Sequence, residues 1–412
     1  MKLLWVKAGG LVPPDTGGKI RSYNILRELA RLHSVTFFSF YGAHDYDLHP
    51  ELKSSFDRVI CMPLKLPPAK SPTEMLSYGI RLFSQQPYGI SKFCRTEVRR
   101  RLRALVEKEG YDVIVCDFMA AAGVVPWHSP TAKVLFTHNV EATIWRRHYE
   151  VAGNTVWKTV SWLEWKKMDN AERRYLRLAD HVLTVSEADR DSFASVIDPA
   201  KLTVIPTGVD IEYFQPLAVE EKPNSLVFTG SMDWLPNEDA IFYFLDQIYP
   251  LIVEKCPDAS LEVVGRKPSR KLRVRAQEEK NVTLTGWVED IRPHVAPGSV
   301  CIVPLRIGGG TRLKIFEAMA MAKTVVSTSI GAEGLPVKSG ENIVLADSPG
   351  DFASRVISLL HDPGERKRIG NAARTMVEEK YGWPKIAESF AQTLQEVVFR
   401  SKGHSTSAKA TF

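Results

Sequence analysis

Two series of short apolar runs, each alternating with amphipathic stretches, constrain the fold of this chain most. The runs of the first half are KLLWV, VTFFSF, YDVIVCDF, AKVLFTH, HVLTVS and KLTVIP, and those of the second half are SLVFTGS, SLEVVG, VTLTGWV, VCIVPL, TVVSTS and ENIVLA. Strands that are apolar throughout and separated by helical stretches are typical of parallel sheets covered by helices on both faces. The pattern therefore predicts an α/β protein with two doubly wound, Rossmann-like domains that face each other across a cleft.

The alternation is interrupted at residues 208–224, where glycine, proline and charged residues replace the apolar runs. Such a composition marks a linker, and a chain of 412 residues is long enough for two cores. We therefore predict an N-terminal domain at residues 1–207, a linker at 208–224 and a C-terminal domain at 225–383. A helix at 384–400 is expected to pack back toward the N-terminal domain, and the polar residues 401–412 are expected to have no regular structure.

Composition argues against several other classes of protein. The five cysteines are odd in number, widely spaced and mostly inside apolar runs, which favours thiols in a reducing cytosol over disulfides or zinc ligands. Apolar runs long enough for a signal peptide or a membrane span are absent from the sequence, so we predict a cytoplasmic protein. The formal net charge of +6 comes without a nucleic-acid-binding motif, so we expect no nucleic acid partner.

The stretch GGGTRLKIFEAMA, residues 308–320, has the composition of an anion-binding strand end. It follows the apolar run VCIVPL, and ligands of open parallel sheets bind outside the carboxyl ends of the strands. Glycines let backbone amides approach a phosphate, the helix start adds a positive dipole end, and Arg312 and Lys314 add formal charge. Glu317 lies too far into the helix to cap it, and a carboxylate there suits hydroxyl groups such as those of a ribose. The alternative is a glycine-rich surface turn before an ordinary helix with an exposed glutamate.

Five motifs occur along the chain in the order FTHNVEA, LTVSEADRDSF, VIPTGVDIEYF, VFTGSMDWLPNEDA and GGGTRLKIFEAMAMAKTVVSTSIGAEGL. Together they resemble the family-4 retaining glycosyltransferases of GT-B fold, and among these the bacterial branch that builds exopolysaccharides. The resemblance implies that the second domain binds a nucleoside diphosphate sugar as co-substrate. It further implies that the first domain supplies the acceptor side, for a glycan or a lipid-linked saccharide. Transfer would retain the anomeric configuration and would need no cofactor.

The resemblance assigns Glu317 to the second glutamate of an E-x7-E motif, which binds the ribose of the donor. The first glutamate of that motif would fall at Gly309, so its contacts with the donor sugar are missing. Many members also carry an Arg and a Lys at the positions of Ser231 and Asn237, where these cations neutralise the diphosphate. We infer that Arg312 and Lys314 neutralise the diphosphate in place of the missing Arg and Lys.

The resemblance also assigns His138, which follows an apolar run, to a histidine near the transferring sugar; a structural histidine at a strand end is the alternative. The predicted catalytic residues are His138, Arg312 and Lys314. The predicted donor-binding residues are Gly230, Ser231, Gly265, Arg266, Val288, Gly308, Gly309, Gly310, Thr311 and Glu317.

The glycine loop after the first strand is matched by Gly17 and Gly18, with an ordinary helix start capped by Asp15 or Thr16 as the alternative. Lys19 and Arg21 follow this loop, where they are suited to bind an anionic acceptor. The alternative is that both are solvated surface charges. The predicted acceptor-side residues are Gly17, Gly18, Lys19 and Arg21.

The pair Asp45 and Asp47 has the D-x-D spacing that metal-dependent sugar transferases use to hold a divalent cation. It follows the run VTFFSF in the first domain, away from the nucleotide motifs, so we interpret it as an exposed loop. We therefore predict no metal site.

Four of the nine tryptophans lie in residues 145–178, together with eight Lys and Arg and four Asp and Glu. This composition leaves open a peripheral contact with an anionic membrane, where a lipid-linked acceptor would lie. We favour the alternative of a long helix that packs Trp157, Met168 and Tyr175 inward and keeps its charges solvated.

The combined prediction is a retaining glycosyltransferase of hexosyltransferase type. Two alternatives remain within the same fold: a nucleotide-sugar epimerase, and a catalytically silent protein that binds sugar nucleotides or glycans. The second alternative is supported by the glycine at position 309, which replaces a glutamate of the motif. The sequence leaves the base, the sugar, the acceptor and the oligomeric state undetermined.

Overall fold

A computed structural model describes residues 1–14, 16–42, 52–68, 71–82, 84–150, 152–307 and 313–409. The chain divides into two units, one formed by Met1–Pro206 together with the helix residues from Ile386 onward, and one formed by Thr207–Lys385. The sequence predicts these boundaries at residues 207 and 383. Residues predicted as a linker instead pack within the second unit, because Val209 forms a β-bridge with Gly382 and is buried.

The first unit contains a seven-stranded sheet whose strands are all parallel, in the order β3-β2-β1-β4-β5-β6-β7. Its strands are β1 (Lys2–Ala8), β2 (Ser34–Gly42), β3 (Arg58–Leu64), β4 (Val113–Asp117), β5 (Ala132–Phe136), β6 (His181–Thr184) and β7 (Leu202–Val204). Its helices are α1 (Gly17–Ala30), α2 (Pro72–Arg81), α3 (Tyr88–Ser91), α4 (Thr96–Glu109), α5 (Glu141–Glu150), α6 (Thr155–Leu178) and α7 (Glu187–Ala194).

The second unit contains a six-stranded parallel sheet in the order β10-β9-β8-β11-β12-β13. Its strands are β8 (Ser225–Thr229), β9 (Ser260–Val264), β10 (Val282–Gly286), β11 (Val300–Val303), β12 (Val325–Ser327) and β13 (Val344–Leu345). Its helices are α8 (Leu235–Tyr243), α9 (Tyr249–Lys255), α10 (Arg270–Gln277), α11 (Arg292–Val295), α12 (Leu313–Ala320), α13 (Pro349–His361) and α14 (Pro363–Lys380). A π-helical segment, Phe244–Ile248, joins α8 to α9.

Each apolar run quoted above forms a strand. Most of these strands are buried on both faces of a sheet. The exception is β10, which lies at the edge of the second sheet and has no buried residue. The predicted α/β class with two parallel sheets is confirmed. The sequence pattern missed β3, which lies at the edge of the first sheet and, within the described residues, pairs only with β2. An exposed Arg58 and a proline at position 63 break its apolar character, and proline is tolerated at a sheet edge.

The final helix, α15 (Trp383–Lys409), extends through most of the segment that we predicted to be an unstructured tail. That prediction rested on polar composition, but no proline occurs after Pro384, so the backbone hydrogen bonds of the helix continue. Within the first unit, the buried ring of Phe390 lies 5.5 Å from Trp5 and 5.2 Å from Phe136. None of the helices in the described part of the chain is both long and apolar enough to cross a membrane.

Each sheet reverses its strand order once. In the first sheet the chain moves from β1 outward to β2 and β3, and then returns to place β4 on the other side of β1; the second sheet does the same around β8, with β11 on its other side. In open α/β sheets the loops separate at this reversal and leave a crevice at the carboxyl ends of the strands. A ligand site is therefore expected at the carboxyl ends of β1 and β4 in the first sheet, and of β8 and β11 in the second.

Candidate functional site

Two glycines bring strand ends close together at the reversal point of the second sheet. Gly230 directly follows β8, and a Cβ atom added there would lie 2.7 Å from Lys314 Nζ and 2.7 Å from Asn237 Nδ2. Gly265 directly follows β9, and a Cβ atom there would lie 1.7 Å from the carbonyl oxygen of Gly230. Neither position can therefore carry a larger residue without displacing the backbone or the lysine.

Lys314 stands in the first turn of α12, and its ammonium group is held at the end of β8. Its Nζ donates a hydrogen bond of 2.7 Å to Asn237 Oδ1 and lies 4.0 Å from the centre of the Phe228 ring. The amide of Asn237 donates in turn to the carbonyl oxygen of Ser231, at 2.8 Å. Position 237 is where the resemblance expects a cation, and the ammonium of Lys314 comes within hydrogen-bonding distance of the asparagine found there.

A second cation lies beside the same strand end. Arg266, which follows Gly265, donates from Nε to Ser231 Oγ at 2.9 Å, and Ser231 Oγ donates to Asp233 Oδ1 at 2.5 Å. Lys267 forms an ion pair of 3.2 Å with Asp233. The structure thus brings together the predicted residues Gly230, Ser231, Gly265, Arg266 and Lys314.

Glu317 lies three residues after Lys314, so both side chains project from the same face of α12. The glutamate is half-buried, and burial raises the pKa of its carboxyl to about 7, although the charge of Lys314 opposes the change. A cavity of about 10 Å³ between the strand ends and α12 is lined in part by Thr229, Lys314 and Glu317. This volume is close to the smallest that holds one water molecule.

Several predicted residues lie outside the described part of the chain. They are Asp15, Asp45, Asp47, Gly308, Gly309, Gly310, Thr311 and Arg312. The nearby Arg306 is described, and its guanidinium donates to both carboxylate oxygens of Asp239 at 3.1 and 2.6 Å. Because this charge is already neutralised, Arg306 is a poorer ligand for a diphosphate than Lys314. Val288 is half-buried and lies in the loop after β10, which is at the carboxyl ends of the strands like the other predicted residues.

At the reversal point of the first sheet, Asp117 closes β4 and has no exposure to solvent. One of its oxygens accepts hydrogen bonds from Lys7 Nζ at 2.8 Å and from Trp5 Nε1 at 3.0 Å. The other lies 2.8 Å from His138 Nε2. Burial would raise the pKa of Asp117, but the charge of Lys7 and the hydrogen bond to His138 hold it below its ordinary value.

His138 is neutral in this cluster, and its tautomer follows from its partners. Arg21 Nη1 lies 2.7 Å from Nδ1, and because arginine only donates, Nδ1 accepts and the proton is on Nε2, which donates to Asp117. Burial lowers the pKa of His138 to about 3, against the opposing effect of Asp117. The imidazole also stacks on Phe118 at 3.6 Å with an angle of 2°. Both ring nitrogens are thus engaged, and the ring holds the Arg21 guanidinium in place.

The interpretation of Arg21 as a solvated surface charge is wrong, because the side chain is 3% exposed. Burial lowers its pKa to about 10, while the charge of Asp117 raises it. Gly18 packs against the Phe118 ring, where a Cβ atom would lie 2.4 Å from Cζ. Gly17 is the first residue of α1; Thr16 stands at the N-cap without a side-chain capping bond, and Lys19 Nζ donates to the Pro13 carbonyl at 3.4 Å.

Sequence reasoning missed Lys7 and Asp117 as members of this cluster. A signal was present, because Asp117 directly ends the run VIVCD and Lys7 interrupts the apolar run of the first strand. The two residues are register partners in the parallel pairing of β1 and β4. Their meeting depends on that pairing, which the sequence pattern alone does not specify.

Comparison with known proteins links both units to sugar transferases. A family model described as Glycosyltransferase Family 4 matches residues 16–213, and one described as Glycosyl transferases group 1 matches residues 223–362. An uncharacterized 44.6 kDa protein in the cps region of Klebsiella pneumoniae is 22% identical over 71% of this chain and 76% of its own length. The GDP-mannose-dependent monoacylated alpha-(1-6)-phosphatidylinositol monomannoside mannosyltransferase of Corynebacterium glutamicum is 27% identical over 46% of this chain and 55% of its own length.

Two solved structures resemble the whole fold. Sucrose-phosphate synthase from Thermosynechococcus elongatus superimposes with a TM-score of 0.71 at 17% identity, over 96% of this chain and 99% of its own. The Anabaena protein HepE, solved in complex with UDP, superimposes with a TM-score of 0.67 at 16% identity, over 96% and 100% of the two chains. At these identities the likeness is one of fold.

Proposed function

Because the chain belongs to the family-4 glycosyltransferases of GT-B fold, we propose that it moves a sugar from a nucleoside diphosphate to a hydroxyl group with retention of anomeric configuration. The acceptor that we propose is a glycan or a lipid-linked saccharide. The second unit would bind the donor, and the first unit would supply the acceptor side.

The names of related proteins support a nucleotide-sugar donor. HepE was solved with UDP and with UDP-glucose, and the Corynebacterium mannosyltransferase is described as dependent on GDP-mannose. These two examples differ in base and sugar and share the nucleoside diphosphate. We therefore extend only the nucleoside diphosphate to this chain.

The arrangement of Lys314, Gly230 and Glu317 carries the proposal. Gly230 leaves the end of β8 free of a side chain, and Lys314 places a positive charge directly beside it. In our proposal this charge stabilises the leaving diphosphate, whose negative charge grows as the sugar departs. Glu317, on the same face of α12, accepts hydrogen bonds from the ribose hydroxyls when it is ionised.

Retention follows in this proposal from a reaction on one face of the sugar. The departing diphosphate oxygen takes the proton of the acceptor hydroxyl, and the hydroxyl oxygen attacks the same face of the anomeric carbon. This route uses no enzyme nucleophile and asks the protein only for fixed cations and amides. Lys314 supplies one such cation, and Arg312 supplies a second in the sequence-based prediction.

On the acceptor side we propose that Arg21 binds the acceptor and that His138 positions Arg21. The neutral imidazole accepts from the guanidinium while Asp117 fixes its tautomer. A guanidinium is suited to bind oxygens of an anionic acceptor. His138 would thus act through Arg21.

A catalytically silent donor-binding protein is the second candidate, because Gly309 replaces the first glutamate of the E-x7-E motif. The experiment that separates the two is a thermal-shift screen of nucleoside diphosphate sugars, followed by an assay for release of the nucleoside diphosphate with a panel of acceptors. A donor at 100 times its dissociation constant should stabilise the protein by about 2.7 kcal/mol.

The matched variants are Lys314→Gln at the site and Lys338→Gln on an exposed surface of the same unit. Acceptor-dependent turnover that is lost in the first variant and kept in the second supports transfer at this site. Donor binding without turnover on any acceptor in the panel would favour the silent protein, and turnover that survives in Lys314→Gln would remove the lysine from the mechanism.

A further inference from the structure

Helix α2 turns its apolar side chains toward solvent. Met75, Leu76 and Ile80 are 72%, 66% and 69% exposed, and none of the residues of the helix is buried. The N-terminus of the helix is nevertheless capped, because Ser71 Oγ accepts a hydrogen bond from the backbone amide of Glu74 in the first turn. An ordered amphipathic helix that presents its apolar stripe outward needs a partner to cover that stripe.

The end of α2 is anchored on α6. Lys167 of α6 donates to the carbonyl oxygen of Leu82 at 2.6 Å, and the ring of Tyr78 in α2 lies 4.7 Å from that of Tyr88 at an angle of 54°. The amide of Tyr88 in turn donates to Glu164 of α6 at 2.7 Å. The two helices are therefore neighbours in the first unit.

Helix α6 exposes further apolar and aromatic side chains. Val156 is 76% exposed, Trp157 42% and Trp162 43%. The prediction that Trp157 packs inward is therefore wrong, although Met168 and Tyr175 are buried as predicted. Tryptophan is a side chain that favours the boundary between water and lipid headgroups.

Helix α6 has acidic side chains on its buried side and basic side chains on its exposed side. Glu164 and Glu172 are turned inward, where Glu164 accepts from Tyr88 and Glu172 accepts from the first amides of α5. Lys158 and Lys166 are exposed, and their ammonium groups lie 5.4 Å from the centre of the Tyr149 ring and 4.3 Å from that of Trp165. The outer side is therefore more basic than the composition of the helix suggests.

We propose that the exposed side of α2 and α6 is a docking surface for an anionic lipid bilayer. We name it the α2–α6 surface and define it by Met75, Leu76, Ile80, Val156, Lys158, Trp162 and Lys166. The apolar side chains enter the headgroup region, and the lysines face the phosphates of anionic lipids. A second copy of this chain fits less well, because a two-fold contact through the same surface would bring like charges together.

The inference does not depend on sugar transfer, so it is tested on the full chain by sedimentation with vesicles. One set of vesicles is phosphatidylcholine alone, and the other contains about a quarter phosphatidylglycerol. We expect binding to the anionic vesicles at about 0.1 M salt and at least roughly tenfold weaker binding at about 1 M, because the screening length then shrinks from about 10 Å to about 3 Å.

Two sets of variants test the surface. Met75→Ser/Leu76→Ser/Ile80→Ser and Lys158→Glu/Lys166→Glu should each weaken binding to anionic vesicles by at least about tenfold, since each removes one of the two attractions. The matched controls are Leu32→Ser/Phe399→Ser, which alter two exposed apolar residues outside the surface, and Lys108→Glu/Lys201→Glu, which make the same charge change elsewhere in the unit. Both controls should bind as the unaltered chain does.

Circular dichroism and thermal unfolding establish that each variant is folded. Loss of binding in the two surface variants alone supports the docking surface. Equal binding to both vesicle types, or unchanged binding in the surface variants, would overturn it. Analytical ultracentrifugation without lipid provides the remaining outcome: self-association that the Met75→Ser/Leu76→Ser/Ile80→Ser variant abolishes would assign the surface to a second copy of the chain.

Discussion

Replacing Glu317 by glutamine should stabilise the protein and at the same time weaken nucleotide binding. Burial raises the pKa of this carboxyl from 4.5 to about 7, so the folded state holds the proton more tightly than the unfolded state does. Ionising the glutamate therefore destabilises the fold. The penalty begins above the unfolded pKa, grows as pH rises, and is complete above the folded pKa.

The size of the effect follows from the two pKa values. A tenfold difference in proton affinity corresponds to about 1.4 kcal/mol, so the gap between 4.5 and about 7 gives a penalty of about 3 kcal/mol at pH 8. At pH 5 the same relation leaves about 1 kcal/mol. Glutamine has a similar shape and no charge, and the free energy of unfolding should rise by up to these amounts.

The assay is urea unfolding of the unaltered chain, Glu317→Gln and Glu333→Gln at pH 5 and pH 8. Glu333 is exposed in the same unit, so its variant controls for the loss of one negative charge. Binding is measured in parallel with the nucleoside diphosphate that gives the largest thermal shift and with its 2′,3′-dideoxy analogue. Glu317→Gln should bind the ribonucleotide about ten- to a hundredfold more weakly, the value of a charged hydrogen bond, and should no longer distinguish it from the dideoxy analogue.

Two results would refute this reasoning. If Glu317→Gln were no more stable than Glu333→Gln at pH 8, ionisation of the Glu317 carboxyl would not destabilise the folded state. If the variant still preferred the ribonucleotide over the dideoxy analogue by the original factor, the ribose would be bound elsewhere.

The remaining predictions concern charge. Arg312→Ala should lower turnover by roughly a hundredfold if the arginine stabilises the leaving group; a loss of less than a few-fold in steady-state assays would leave that role to Lys314. Excess chelator should leave activity unchanged, because the site supplies cations of its own, and activity that manganese restores after chelation would contradict this. Because burial holds the pKa of His138 near 3, the histidine stays neutral from pH 5 to 8 and the pH–rate profile should inflect near 7 through Glu317 alone; an inflection near 7 that persists in Glu317→Gln would point to another group.

The strands could be predicted from the sequence because parallel strands buried on both faces need continuous apolar runs, and those runs stand out by themselves. The strand-end residues followed from the same pattern, since Gly230 and Gly265 directly end two of the runs. The edge strand β3 escaped because an edge tolerates the arginine and the proline that break the run. Burial is not the only signal, because β10 was predicted from its β-branched run although none of its residues is buried.

Contacts between residues distant in sequence could not be predicted in the same way. The ion pair of Lys7 and Asp117 joins residues 110 apart, and the hydrogen bond of Lys314 and Asn237 joins residues 77 apart. Both depend on which strands are neighbours at the reversal point of a sheet. The sequence suggested that a lysine had replaced a lost cation, but the place of its ammonium group is set by the packing of α12 against the end of β8.

The most direct test of the central claim is the configuration of the product. The full chain is incubated with the donor chosen by thermal shift and with an acceptor that supports turnover, and the anomeric coupling of the transferred sugar is read by proton NMR before it can equilibrate. Transfer on one face, assisted by Lys314 and without an enzyme nucleophile, predicts the same anomeric configuration in product and donor. A product of inverted configuration would contradict the mechanism, and a donor that binds but is never transferred would contradict the assignment of the chain as an active enzyme.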